Sequence, residues 1–140
     1  MATETDDAAA RLVATMPFAV TLGMELVEMR PDEVRGRLPW RAELCTMAGI
    51  LHGGALMGLG DTTGAVCAFL NLPAGATTGT IESKTNFFRA VREGAVDAVA
   101  HPLHVGRSSI VVQTDLFDSS GRRVAQVTQT QAVLTPPPAS

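Results

Sequence analysis

The residues best placed for chemistry lie between positions 45 and 70, where one carboxylate, Asp61, follows the glycine-rich triplet His52-Gly53-Gly54. Apart from Asp61, this stretch is uncharged and mostly apolar. Burial among small apolar residues disfavours a charged carboxylate and raises its pKa unless hydrogen-bond donors compensate. Asp61 is therefore either a reactive proton acceptor or a structural group that pairs with a basic side chain or caps a neighbouring loop.

The glycines before Asp61 offer the complementary chemistry. A helix that begins at Gly53 presents free N–H groups and the positive end of its dipole, which suit a developing oxyanion. On one helix, Gly53 and Asp61 are about 12 Å apart along the axis and about 80° apart around it. If both act on one carbonyl, a second copy of the helix must run antiparallel to the first. The sequence therefore predicts a site shared across a two-fold homodimer.

The periodicity of residues 51–70 predicts a buried central helix. A stripe of mostly bulky side chains suits packing against a sheet and consists of Leu56, Leu59, Thr63, Val66 and Leu70. An opposite stripe suits close approach by another backbone and consists of Gly54, Gly58, Asp61, Ala65 and Ala68. Glycines inside a helix weaken it by about 0.5–1 kcal/mol each, so packing must hold this one.

The rest of the chain supplies the elements that position this helix. We expect a helix in residues 1–17, capped by Thr5 and ended by Pro17, and then a strand-like segment, 18–40, with a hairpin turn at Pro31-Asp32. Four later strands are predicted at 77–88, 95–105, 108–118 and 122–134. Pro102 indicates a bulge or an edge position. The expected class is α+β, with a long antiparallel sheet wrapped around one central helix.

Composition restricts the function classes. At 140 residues the chain fits one domain, 1–140, ending in a disordered tail, 135–140. A net charge of −3 lacks the excess of basic residues that is typical of nucleic-acid-binding proteins. Cys45 and Cys67 show neither metal-ligand spacing nor a disulfide pattern, so no metal or other cofactor is expected. The acidic start resembles no signal peptide and no apolar run predicts a membrane span, which favours a cytoplasmic protein.

Taken together, these residues resemble a known family. The segment Leu51-His52-Gly53-Gly54, the acid Asp61, the strand TIESKTNFFRAV, the motif HVGRSS and the strand GRRVAQVTQTQAVL are similar to the hotdog-fold acyl-CoA thioesterases of the PaaI-like, phenylacetate-pathway type. The similarity covers residues 23–134. It implies a hotdog fold, hydrolysis of an acyl-CoA substrate, a homodimer and, by analogy, a homotetramer of two dimers.

The resemblance also implies roles for three catalytic candidates. The backbone N–H of Gly53 would polarise the thioester carbonyl. Asp61 of the partner subunit would act as general base on water or as nucleophile. His52 would lie beside the thioester and shape the start of the helix.

Further substrate-binding candidates follow from the same resemblance: Thr46, Gly54, Thr62, Thr80, Arg89, Gly106, Arg107, Ser108 and Ser109. Thr46 stands where related enzymes carry Asn or Gln, and Ala65 stands where some carry Thr, with Thr62 nearby. Thr80 aligns with a hydroxyl residue of the family across a gap. Arg89 and the segment 106–109 are assigned to the CoA phosphates, which Arg and Ser suit as donors. Solvated strand ends are the alternative interpretation.

Several points stay open at this level. His101 and His104 are expected to be surface or strand residues, and the polar last strand fits either a wet sheet face or a contact between dimers. Aromatic residues that could line an acyl pocket, or simply fill the core, are Trp40, Phe69, Phe87 and Phe88. The competing functions are a hotdog hydratase or dehydratase of enoyl or hydroxyacyl thioesters and a non-catalytic acyl-CoA binding protein.

Overall fold

A computed structural model describes residues 1–138. Within them the helices are α1 (Glu4–Ala14), α2 (Pro17–Leu22) and α3 (Gly53–Phe69). The strands are β1 (Glu25–Arg30), β2 (Glu33–Pro39), β3 (Thr77–Phe87), β4 (Ala95–Val105), β5 (Ser109–Phe117) and β6 (Arg123–Leu134). The predicted α+β class, with six strands and one long helix after the first hairpin, is confirmed.

All six strands form one antiparallel sheet in the order β1-β2-β4-β5-β6-β3. Helix α3 contacts every strand, so the sheet wraps around it. Buried side chains from the two layers meet in the core, among them Leu59 of α3, Val96 of β4 and Ile110 of β5. Strands β1 and β3 form the two free edges of the sheet.

Packing holds the glycine-rich α3, as predicted. Leu56, Leu59 and Val66 of its bulky stripe are buried against the sheet. Gly60 and Gly64 approach β6 closely, because an added Cβ at Gly60 would lie 2.6 Å from Val127 Cγ2 and one at Gly64 would overlap the side chain of Gln129. The small residues thus let the helix come within contact distance of the strand, and that burial compensates for their low helix propensity.

Two expectations for the N-terminal region are wrong. Thr3, not Thr5, caps α1, and its side chain forms a capping box with Asp6. Pro17 does not simply end a helix, because it begins α2 within the segment predicted to be strand-like. Proline at the first helical position loses no backbone hydrogen bond and its fixed φ suits the turn. Gly23, at φ 75°, then ends α2.

The strands after α3 agree closely with the pattern. Strand β4 has the predicted bounds, and its register shifts between Pro102 and His104, which is the expected bulge. Residues 135–138 form neither helix nor strand, and the last two residues of the predicted tail lie outside the described part of the chain. Across residues 1–138, no helix is long and apolar enough to span a membrane.

Candidate active site

The start of α3 is built around His52. This residue is the N-cap, in extended conformation, and its Nδ1 accepts the Gly54 N–H at 2.7 Å. A bond of 2.9 Å from the His52 N–H to the Leu44 carbonyl ties the turn to the preceding loop. Within residues 1–138 the Gly53 N–H donates to no protein acceptor. Because the first N–H groups of a helix lack intrahelical partners, this amide remains available to a ligand oxygen.

A cleft of about 380 Å³ opens beside this amide. Three sequence candidates, Thr46, Gly53 and Arg89, line it together with the rings of Phe87 and Phe88. A Cβ on residue 53 would lie 3.1 Å from Phe87 Cζ, so glycine lets the ring pack directly against the helix start. The cleft therefore combines a hydrogen-bond donor, a cation and apolar walls, which is the composition of many small-molecule sites.

Asp61 lies in the middle of α3 and is half-buried. Its Oδ1 accepts hydrogen bonds from Gln129 Nε2 at 3.3 Å and from Thr80 Oγ1 at 3.5 Å. No basic side chain of the described residues forms an ion pair with it, which argues against the structural alternative. Burial raises the pKa of Asp61, and the bonds from Thr80 and Gln129 partly oppose that rise. Because both bonds are long, the carboxylate keeps acceptor capacity for a further proton donor.

The sequence reasoning missed two glutamines beneath Asp61. Gln129 and Gln131 are fully buried on the inner face of β6. Gln131 Nε2 donates to Thr80 Oγ1 at 2.8 Å and its Oε1 accepts from Thr78 at 3.1 Å, so a chain of polar contacts supports the acid. Their burial is indicated by the sequence, because they alternate with period two from the apolar Val127 and all three therefore lie on the same face of β6. The polar residues of β6 are thus not all exposed to solvent, and they do not serve only as an outward contact surface.

The comparisons identify the family. A family model described as the thioesterase superfamily matches residues 48–125. The chain belongs to the thioesterase superfamily. It is 31% identical over 113 residues to the proofreading thioesterase EntH of Cronobacter turicensis, covering 81% of this chain and 82% of the relative. It is also 32% identical over 103 residues to the 1,4-dihydroxy-2-naphthoyl-CoA hydrolase of Escherichia coli, covering 74% and 76%.

Solved structures agree with this assignment. The crystal structure of a thioesterase from Haemophilus influenzae matches this chain with a TM-score of 0.87 at 25% identity, covering 96% of this chain and 93% of that one. The predicted hotdog fold is confirmed, and the protein is a thioester hydrolase. The predicted enzyme class is therefore confirmed, and the alternative of a non-catalytic binding protein is not retained.

Within one chain of this thioesterase, the candidate residues form two separate groups. The Arg89 N–H bonds the Val124 carbonyl at one end of β6, whereas the Ser108 carbonyl accepts from the Val133 N–H at the other end. These β6 positions are about 30 Å apart at about 3.3 Å per residue. Arg89 thus lies near the helix start, while the 106–109 turn lies toward the end of the sheet where Asp61 contacts Thr80.

The structure also gives positions for the remaining candidate residues. A hydrogen bond of 2.8 Å from the Gly106 N–H to the Ser109 carbonyl closes the turn that carries Arg107. Thr62 is half-buried beside Asp61. The N–H of Gly54 already bonds His52, so it is not free for substrate. Trp40 packs against the core and its indole donates to the Gly49 carbonyl at 3.0 Å, away from the cleft lining.

Proposed function

We propose that this thioesterase hydrolyses acyl-CoA thioesters with aryl or medium-chain acyl groups, releasing the free acid and CoA. The observation that carries the proposal is Asp61, a half-buried carboxylate with spare acceptor capacity and no basic partner among the described residues. The Gly53 N–H supplies the complementary donor. The CoA part of the proposal draws support from the Escherichia coli relative, which is named as a CoA hydrolase. We place the enzyme in the cytoplasm, as a single PaaI-like domain.

The proposed active unit is a homodimer formed through β3. This edge strand extends over 11 residues, and Ile81 and Phe87 on it are 62% and 49% exposed. A long edge with unpaired backbone groups and exposed apolar side chains is a template for pairing with another chain. Antiparallel pairing of two β3 strands about Ser83-Lys84 brings Thr80 of one chain opposite Phe87 of its partner.

This pairing would unite the two groups of candidate residues. Thr80 lies beside Asp61, and Phe87 lies on Gly53, so each Asp61 would approach the helix start of the other chain. The same operation would move Arg89 of one chain toward the 106–109 turn of the other. CoA phosphates would then contact Arg89 together with the partner's Gly106, Arg107, Ser108 and Ser109. A homotetramer of two such dimers completes the proposed assembly.

The proposed reaction uses the two groups in opposite roles. The Gly53 N–H would stabilise the negative charge that develops on the thioester oxygen as the carbonyl carbon becomes tetrahedral. In one route the Asp61 carboxylate of the partner would take a proton from the attacking water, the C–S bond would break, and that proton would pass to the CoA thiolate. In the other route the carboxylate would attack the carbon and the C–S bond would break, leaving a mixed anhydride on Asp61 and the CoA thiolate. Water would then hydrolyse the anhydride, and a proton from that step would go to the thiolate. His52 acts on Gly53 indirectly, by holding the Gly54 N–H and fixing the direction of the helix start.

The assay that tests this function measures free thiol over a panel of aryl and straight-chain acyl-CoAs, with Asp61→Ala as control. We expect thiol release by the wild type and loss of that release in the variant. Incubation with crotonyl-CoA distinguishes a hydratase, which would consume the double bond without releasing thiol. No release across the panel, or release unaffected by Asp61→Ala, would contradict the proposal.

A single turnover in ¹⁸O-water separates the two roles of Asp61. If the carboxylate is a general base, the new oxygen of the acid product carries ¹⁸O in the first turnover. If it is a nucleophile and water opens the mixed anhydride at the Asp61 carbon, the product oxygen comes from the unlabelled carboxylate and the label enters Asp61. Label in Asp61 after one turnover is therefore the result that identifies the nucleophilic route.

A further inference from the structure

A second hollow, of about 210 Å³, lies next to Asp61 and has almost wholly apolar walls. Thr62, Ala65 and Phe69 of α3 form one wall. Thr78 of β3 forms the second, and Leu12 of α1 with Met16 just beyond it forms the third. The hydroxyl of Thr78 is bonded to Gln131, so it adds little polarity to the space.

The hollow adjoins the part of the candidate site that contains Asp61 and Thr80. Ala65 is about one turn beyond Asp61 on the same face of α3, about 6 Å along the axis. Thr78 lies two residues before Thr80 on the same face of β3, about 7 Å along the strand. Both walls therefore lead directly from the carboxylate and its hydroxyl partner into the apolar space. Phe69, at the far wall, is 55% exposed and has free apolar surface to cover.

We propose that the N-terminal helical segment, through Leu12 and Met16, sets the length of the acyl group that this hollow can receive. The inference rests on the proposed function, because it places the scissile carbonyl at Asp61. The two substituents of that carbonyl differ in chemistry. The polar, phosphate-bearing arm suits the cleft that contains Arg89 of the partner subunit. The hydrocarbon arm suits the apolar hollow on the Asp61 side of the carbonyl.

The length-limiting wall lies outside the segment that the family model matches. Helix α1 precedes residues 48–125, which the thioesterase family model matches. It is held in place by its own capping box and by packing against β1. Its opposite side provides a control position, because Val13 faces a separate hollow lined by Met24 and Leu26 and does not line the space beside Asp61.

The test is a chain-length profile of kcat/KM for straight-chain acyl-CoAs from two to sixteen carbons. In the wild type, each methylene that fits the hollow should raise kcat/KM by about 4-fold, the equivalent of about 0.8 kcal/mol per buried methylene. Leu12→Ala and Met16→Ala enlarge the space, so we expect the optimum to move to longer chains. The kcat/KM ratio between a substrate two carbons beyond the wild-type optimum and the optimal one should rise about 15-fold, the equivalent of two buried methylenes. Val13→Ala should leave the profile unchanged.

Filling the opposite wall gives the converse result. Ala65→Leu reduces the hollow from the α3 side, so the optimum should move to shorter chains. This variant also keeps the inference testable if Leu12→Ala and Met16→Ala prevent folding, which a thermal melt reveals. Thiol release with a wild-type length profile in Leu12→Ala, Met16→Ala and Ala65→Leu would overturn the inference while leaving the proposed function intact. No thiol release by the wild type from any acyl-CoA would overturn both.

Discussion

Replacement of Asp61 by Asn isolates the chemical role of the carboxylate. The substitution keeps the size of the side chain and one carbonyl oxygen, which can still accept from Gln129 or Thr80. It removes only the ability to take a proton from water or to attack as an anion. The local packing of α3 should therefore persist, and any loss of activity reports chemistry rather than folding.

The expected loss is large and specific to kcat. A positioned general base contributes about 10²–10⁴-fold to rate, so kcat should fall by that factor, or about 3–5 kcal/mol of transition-state stabilisation. The KM should change little, because the proposed substrate contacts at Gly53, Thr46 and Arg89 are untouched. A continuous thiol-release assay under saturating acyl-CoA measures both constants. A raised KM with normal kcat would refute the reasoning, because it would make Asp61 a binding group.

The stability of the same variant provides an independent check. Burial raises the pKa of Asp61 in the folded state. Between the unfolded and folded pKa values the folded protein binds more protons, so this group's contribution to stability falls as the pH rises through that window. Asn mimics the protonated side chain. Asp61→Asn should therefore melt at or above the wild-type temperature at pH 7, and the difference should disappear below about pH 4.

Two further predictions concern titration. The value of kcat/KM should fall on acidification, with an inflection above the ordinary aspartate pKa of about 3.9. Gln129→Leu should move that inflection to higher pH, because it removes a donor that lowers the Asp61 pKa. A pH profile measured on both proteins checks this, and an unshifted inflection would contradict it. Burial raises the pKa of the Cys67 thiol to about 11. A disulfide reagent at pH 8 should therefore modify only Cys45 in the native protein and both thiols after unfolding. Rapid modification of Cys67 in the native protein would contradict this.

Much of the fold could be predicted because its signals are local. Alternation of apolar and polar residues gave β3 to β6 nearly to their ends, and the helical stripe with its glycines gave α3. The N-terminal region could not be predicted in the same way. Pro17 can end one helix or begin another, and the contacts of Phe18 and Leu22 with Gly58 of α3, which favour the second outcome, join residues far apart in the sequence.

The candidate site shows the same division. Gly53 and Asp61 stood out because glycine and a lone acid are unusual in an apolar helix. Gln129 and Gln131 did not, since a polar residue on a strand is ordinarily assigned to solvent. Their burial depends on which face of β6 meets α3, a long-range fact that the spacing alone leaves undecided. The separation of Arg89 from the 106–109 turn likewise follows from strand order rather than from any local pattern.

The shared site is tested most directly by a heterodimer of two inactive chains. Asp61→Asn removes the acid, and Gly53→Pro removes the backbone N–H at the first position of α3, where proline suits the helix and the extended His52 before it. A heterodimer purified through two different tags holds one site with both groups intact and one with neither. If each site draws on both chains, the heterodimer should show about half of the wild-type kcat per dimer, far above either variant homodimer. If activity stays at the level of those homodimers, the two groups do not act across the subunits and the account is contradicted.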